Sequence, residues 1–222
     1  MPHVSPNAKE IGFTALLRPR DPYAWYPQSS FLRAARRSLA MAPGGQPYAY
    51  SNFGAALLGY LLGMAAQVPY QRLVRERICR PLAMTATSFD ARPVQGYSNG
   101  RKVPPWHLGP MAAAGGLYST ASDMAKLLTA CLRPQGTPLA EPAPLALATH
   151  AVPGPREETG LGWHHALRDG RRVSWHNGMT GGYSSMIALD TEHQSAVVAL
   201  ANRGTPPPSP LDAAVMKAIF AA

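Results

Sequence analysis

The sequence predicts an α+β fold, with helices through the middle of the chain and an antiparallel sheet near its end. Two observations carry this. Apolar positions recur at helical length over residues 53–66, 70–79 and 122–132, each run bounded by capping or breaking residues. From residue 160 the period shortens: 160–167, 173–176, 183–189 and 195–201 are short strand-like runs, the first two joined by an Asp169-Gly170 turn.

Taken in order, residues 1–30 are interrupted by Pro2, Pro6, Pro19, Pro22 and Pro27 and read as irregular, with residues 1–11 set apart as an N-terminal segment. Ser30 is positioned to cap a helix over 31–40 that turns its arginines outward. A Pro43-Gly44-Gly45 turn leads into Tyr50-Ser51-Asn52, and Ser51 or Asn52 then caps an apolar core helix over 53–66. Pro81 stops the next helix, 70–79, and a short apolar segment, 82–89, ends at Asp90. Residues 94–97 and 102–106 form a hairpin about Ser98-Asn99-Gly100. The small residues 112–116 allow a close backbone approach. Thr120 and Asp123 make a capping box for the helix over 122–132. After a proline-rich loop, 134–144, a short helix covers 145–150. Ser209 as N-cap and Pro210 at the first helical position open a last helix over 211–220. The helical part thus occupies about residues 30–150, and the sheet with its final helix about 160–222.

With 46% hydrophobic and only 15% charged residues, a chain of 222 residues can bury a substantial core. The net charge of +9 raises nucleic-acid binding. The arginines are scattered, however, and no aromatic-interleaved stripe or zinc spacing accompanies them, so a basic solvated surface is the reading and no nucleic-acid partner is expected. The two cysteines, Cys79 and Cys131, sit in helical patterns and read as buried thiols rather than a disulfide or metal pair. The first dozen residues show no basic start and no apolar core of a signal peptide, which leaves the compartment unassigned. The longest apolar run, 54–66, is short of the ~18 residues of a membrane span.

Several motifs invite chemistry. Gly96-Tyr97-Ser98-Asn99-Gly100 fits the G-x-S-x-G nucleophile elbow, but Pro104-Pro105 follow where that motif needs a helix, so the segment reads as a hairpin turn. His176-Asn177-Gly178-Met179-Thr180-Gly181-Gly182 lies between two strands. It suits an oxyanion site beside a histidine, or a tight connection that needs its glycines for positive φ. His107, His164, His165 and His176 with Asp123, Asp169 and Asp190 supply triad residue types, but nothing in the sequence pairs them. Glu157-Glu158 reads as a solvated pair in a loop.

Six segments then occur in an order that resembles one family: PGGQPYAYSNFGAALLGYLLG, YQRLVRERICRPLAMTATSFD, AAAGGLYSTASDMAKLL, GLGW, WHNGMTGGYSSMIAL and VVALANR. Together, from about Gly12 to Arg203, they resemble the serine β-lactamase-like hydrolases of the class C type. That family includes D-alanyl-D-alanine carboxypeptidases and β-lactamase-fold esterases. The resemblance implies a β-lactamase/transpeptidase-like domain over 12–222 and a small ester, amide or lactam substrate, with neither cofactor nor metal. By the same resemblance Tyr50 and His176 are the catalytic candidates. Tyr50 matches the proton-relaying Tyr of Y-x-N, which a phenol can serve if neighbouring cations lower its pKa. Asn52, Gly178, Met179, Gly115 and Gly116 are implied to bind substrate, with the backbone N–H of Met179 as an oxyanion donor and the two glycines as the floor.

One element of the family pattern has no counterpart. The family nucleophile is the serine of S-x-x-K, and the residues three places before the four lysines here are Pro6, Asn99, Asp123 and Ala214. Only 49 residues precede Tyr50, so the resemblance implies that the N-terminal strands and nucleophile helix are missing. The expected consequences are an unpaired edge and an uncovered apolar face on the 160–201 strands, and self-association or a complementing N-terminal segment. Three functional readings follow: a serine hydrolase-family chain incomplete or inactive alone, a non-catalytic peptide or cell-wall binding module, and an esterase with its nucleophile relocated to Ser51 or Ser98.

Overall fold

The structure, a computed structural model, describes residues 21–41, 48–154 and 157–222. The Pro43-Gly44-Gly45 turn and the first twenty residues lie outside the described residues. Helices α1 (Gln28–Met41), α2 (Asn52–Ala66) and α3 (Tyr70–Val74, running on as a π-helical turn, Arg75–Cys79) precede a small hairpin, β1 (Gly96–Ser98) and β2 (Arg101–Val103). A 3₁₀ turn, Gly109–Ala114, leads to α4 (Ala121–Leu132) and α5 (Pro142–Leu147). Six strands follow: β3 (Ala151–Gly154), β4 (Glu157–Thr159), β5 (His164–Arg168), β6 (Arg171–Thr180), β7 (Tyr183–Asp190) and β8 (Ser195–Ala201). They pair antiparallel in sequence order, and α6 (Pro210–Ala221) closes the described chain. The α+β class is thereby established.

The strand period of two sorts the sheet into faces. Val173, Met186 and Ala188 meet Val215 and Ile219 of α6 on one face, while Leu189 of β7 meets Leu128 and Cys131 of α4 and Ala143 and Leu147 of α5 on the other. Among the described residues helix covers one face and part of the other, so the bare apolar face expected on the strands is reduced to the part where Ile187 and the 40% exposed Leu200 line a cleft. A third cluster joins α1, α2 and the 3₁₀ turn through Phe31, Phe53, Ala56, Leu57 and Met111.

The exposed apolar surface lies instead on α2. Sequence reading made it a core helix, but it buries only Phe53, Ala56, Leu57 and Gly59, while Leu58, Leu61 and Leu62 stand 58%, 49% and 43% exposed. Spaced i, i+3, i+4, those leucines form a stripe opposite the packed face. A helix apolar all round carries no sequence signal of which side is covered. On the sheet, β8 pairs only with β7 among the described residues, which leaves the expected open edge.

Local chemistry corrects several boundaries. α1 begins at Gln28, and Ser30 lies inside it, its N–H bonded to the Pro27 carbonyl at 3.0 Å, so Ser30 is not the cap. Thr120 Oγ1 accepts from the Asp123 N–H at 3.2 Å, but the Asp123 carboxylate does not return the bond to make a box. It accepts from the Ala86 N–H at 2.8 Å, Thr87 Oγ1 at 2.9 Å and Lys126 Nζ at 2.8 Å, tying the 82–89 segment to α4. Burial pushes the Asp123 carboxyl up, and those three donors together carry it below the ordinary carboxylate value. The helix expected over 145–150 spans Pro142–Leu147, and the 157–158 loop is strand β4. Glu158 Oε2 there accepts from Thr149 Oγ1 at 2.6 Å and lies 3.5 Å from Arg172 Nε. Ser209 does cap α6, as the sequence indicates, and also closes a capping box with Asp212. Both cysteines are buried free thiols, and burial raises Cys131 to about 11.

Candidate active site

The site begins at the entry to α2. Ser51 is extended, at φ −147° and ψ 108°, and its Oγ accepts from the Gly54 N–H at 2.9 Å. The cap fixes the first helical turn and with it the residues on either side. Tyr50 Oη donates to Asn52 Oδ1 at 3.1 Å. Replacing Ser51 with alanine is expected to cost about 1 kcal/mol, read as a lowered denaturation midpoint. With Oγ engaged in the cap, Ser51 is a poor candidate for a relocated nucleophile; Ser98 sits in β1, off the cleft lining.

Helix α2 is also clamped from behind. A Cβ on Gly59 would lie 2.3 Å from Ala113 Cβ of the 3₁₀ turn, an overlap that only glycine avoids. The contact brings the 3₁₀ turn, and Gly115 and Gly116 just after it, to the same end of the molecule as Tyr50 and Asn52. Of that pair only Gly116 is tightly enclosed, its would-be Cβ 3.0 Å from the Ala112 carbonyl; Gly115 has room, with Thr180 Cγ2 nearest at 3.8 Å.

Only the end of the 176–182 segment, Gly181-Gly182, is the connection its glycines suggested. His176, Asn177, Gly178 and Met179 lie within β6, facing Ile187, Met186, Ser185 and Ser184 of β7. The turn comes later, at Gly182, with φ +81°, beneath Val103 of the small hairpin. β5 pairs with β6 only as far as His164 opposite Trp175. Residues 176–180 therefore overhang β5, and the alternate N–H and C=O groups on that side meet no strand.

All seven residues singled out from the sequence, Tyr50, Asn52, Gly115, Gly116, His176, Gly178 and Met179, line one cleft of about 1090 Å³. Sequence reading missed Trp106, Tyr118, Trp163 and Tyr183 on its walls, and Arg92 at its rim. It also left His164 without a role. That ring stacks on Trp175 at 4.7 Å between centroids and lies 5.5 Å from His176 and 6.1 Å from Tyr50. The Tyr50 and His176 rings are 6.3 Å apart.

Protonation is set by this packing. Burial raises the Tyr50 phenol above its ordinary value, contrary to the lowering by cations that the sequence reading required. The residues beside it are imidazoles, not lysines. Burial lowers His176, and repulsion from His164 lowers it further, against a pull upward from the Asn177 backbone. His164 is lowered by burial, partly offset by Glu157. The other described imidazoles are engaged elsewhere. His107 Nδ1 is 2.6 Å from buried Asp21, and His165 Nδ1 is 2.9 Å from Ser174 Oγ in a pair sealed within the sheet. Among the described residues no cluster of His, Cys, Asp and Glu could hold a metal, and no single helix is long and apolar enough to cross a membrane.

The β-lactamase family profile matches residues 11–221, nearly the whole chain. The chain belongs to the β-lactamase family. This β-lactamase-family chain is 35% identical over 189 residues to human "Putative beta-lactamase-like 1", covering 78% of the chain and 37% of that relative. It is 32% identical over 170 residues to the Escherichia coli "D-alanyl-D-alanine-carboxypeptidase/endopeptidase AmpH", covering 68% and 44%. It also resembles the fold of the octameric penicillin-binding protein homologue from Pyrococcus abyssi, with a TM-score of 0.73 at 24% identity over 89% of this chain and 48% of that one. The chain thus spans less than half the length of these relatives.

Proposed function

We propose that the cleft is the carbonyl-binding part of a serine acyl-hydrolase centre, taking an ester, amide or lactam. The observation that carries this reading is the meeting of Tyr50, Asn52, His176 and the open β6 edge in one cleft. Asn52 and His176 hold the acyl group. The backbone N–H of Met179 serves as an oxyanion donor, since a preset amide stabilises developing charge at little reorganisation cost. Tyr50 carries the proton between nucleophile and leaving group. The nucleophile is not among these groups, because no serine here stands three residues before a lysine.

The 222 residues alone are therefore expected to give no acyl-enzyme with nitrocefin or p-nitrophenyl acetate, checked by intact-mass spectrometry. A serine labelled by a fluorophosphonate probe would overturn that expectation. Should turnover appear, Tyr50→Phe should reduce it by about 10²-fold or more, the scale of lost proton transfer; an unchanged rate removes Tyr50 from the mechanism.

One observation favours a second reading, a module that binds but does not turn over. The Tyr50 phenol is raised, not lowered, and so is poorly set to take a proton. Saturable binding of a penicillin or a D-Ala-D-Ala peptide without product would support it. The bare leucine stripe of α2 and the open β8 edge further suit contact with another chain. Light scattering is expected to report self-association, and a monodisperse monomer would count against it.

A further inference from the structure

We propose that His164 is a positioning residue of this site, the ring that seats Tyr50 against His176 and sets the two imidazoles side by side. The assignment rests on the reading of Tyr50 and His176 as working groups of the cleft. The geometry is specific. His164 is the first residue of β5, so it stands where the strand stops and the β6 overhang begins. Trp175, its cross-strand partner, supports it from behind at 4.7 Å with the planes 27° apart. Tyr50 lies over it at 6.1 Å, also at 27°, and His176 at 5.5 Å, tilted 37°. Tyr50 has its own contact with His176 at 6.3 Å, so the three rings form a closed triangle.

The triangle ties together two parts of the chain, the entry to α2 and the overhang of β6. The Tyr50 hydroxyl donates to Asn52 at the start of α2 and not to the sheet. Ring packing on His164 and His176 is then what locates the phenol relative to the strand. Two imidazolium charges at such a separation repel, so protonation of one opposes protonation of the other and the pair titrates as a unit. The ionisable groups facing the pair are Tyr50 from the segment before α2, Glu157 from β4 and His165 from β5, with Tyr48 beyond Tyr50 and Glu157. Of these only Glu157 raises His164. Its pull on His164 opposes the lowering by burial, while burial and His164 both lower His176.

The test is the proton NMR titration of the 222-residue chain with ¹³C-labelled histidine and tyrosine, which needs neither ligand nor turnover. In the unsubstituted chain, the His164 and His176 Cε1–H resonances are expected to show two inflections each, at common midpoints. In His164→Phe, which keeps a ring in place but removes its charge, His176 should collapse to one inflection while the Tyr50 ring shifts hold. In His164→Gln, the Tyr50 ring resonances should move toward solvent-exposed values. Single, independent inflections in the unsubstituted chain, or Tyr50 shifts unmoved by His164→Gln, would overturn the proposal. Should the glutamine variant lose its dispersed amide spectrum, the phenylalanine variant decides. A cleft that binds no acyl ligand sinks the functional reading instead, and leaves the histidine titration as it was.

Discussion

Replacing Asp190 with alanine is expected to lower the unfolding free energy by about 3–5 kcal/mol, the cost of leaving a buried charge without its partner. Asp190 is fully buried at the end of β7. Its Oδ2 accepts from Arg171 Nε and Nη2 at 3.1 and 2.7 Å and lies 3.0 Å from His193 Nδ1. Its Oδ1 accepts the N–H groups of Glu192 and His193 at 3.0 and 2.9 Å. Arg171 in turn donates to the Ile219 and Phe220 carbonyls, so one carboxylate ties the β7–β8 turn to the end of α6. Asp190→Asn keeps an acceptor and should cost less. The pH dependence has a definite sign. Burial raises the carboxyl, and the His193 N–H, Arg171 and the His193 ring outweigh it, so the folded value lies below the ordinary 3.8. The stabilisation is complete above 3.8 and is lost as pH falls through the lower folded value. Chemical denaturation between pH 7 and 3 should show acid sensitivity in the parent chain, and less of it in Asp190→Asn.

Phe31→Ala is the second large effect, about 3–5 kcal/mol for removing a fully buried aromatic ring. Phe31 is 0% exposed and packs on Phe53 and Tyr60 of α2, with centroids 5.1 and 5.8 Å away. The loss should be seen twice. The denaturation midpoint falls, and the Tyr50 and Asn52 resonances broaden or shift, because Phe53 immediately follows Asn52 in the helix that Phe31 holds. A lowered midpoint with an undisturbed site would mean that α2 is held mainly by the 3₁₀ turn.

Much of this architecture was legible in the sequence where local chemistry and tertiary demand agree. The Ser51 cap, the Ser209 cap and the Asn99-Gly100 and Asp169-Gly170 turns, with φ of +49°, +74°, +52° and +78°, are short-range solutions that residue type nearly dictates. Strands β3 and β4 were not legible, because Pro153, Gly154 and Glu157-Glu158 show no alternation and pair only through the neighbouring sheet. Gly178 looked like part of a turn but is a strand residue whose Cβ would come 3.0 Å from Ser185 Oγ, a contact no local pattern encodes. The seven cleft residues were found through the ordered resemblance rather than through spacing. His164 was passed over because its partners, Tyr50 and Trp175, are 114 and 11 residues away, and their meeting depends on where β5 happens to stop.

That stopping point has a metric consequence. Five residues of β6, 176–180, run past the last pair with β5, and at ~3.4 Å per residue they make a rail of roughly 17 Å. Backbone groups along such a rail face outward only at every second residue, so an extended ligand can engage it in steps of about 7 Å and not between them. A ligand displaced by a single unit turns its opposite face to His176. For the ligand proposed above, the overhang would act as a ruler with two or three marks, so that length as well as chemistry would decide what fits it.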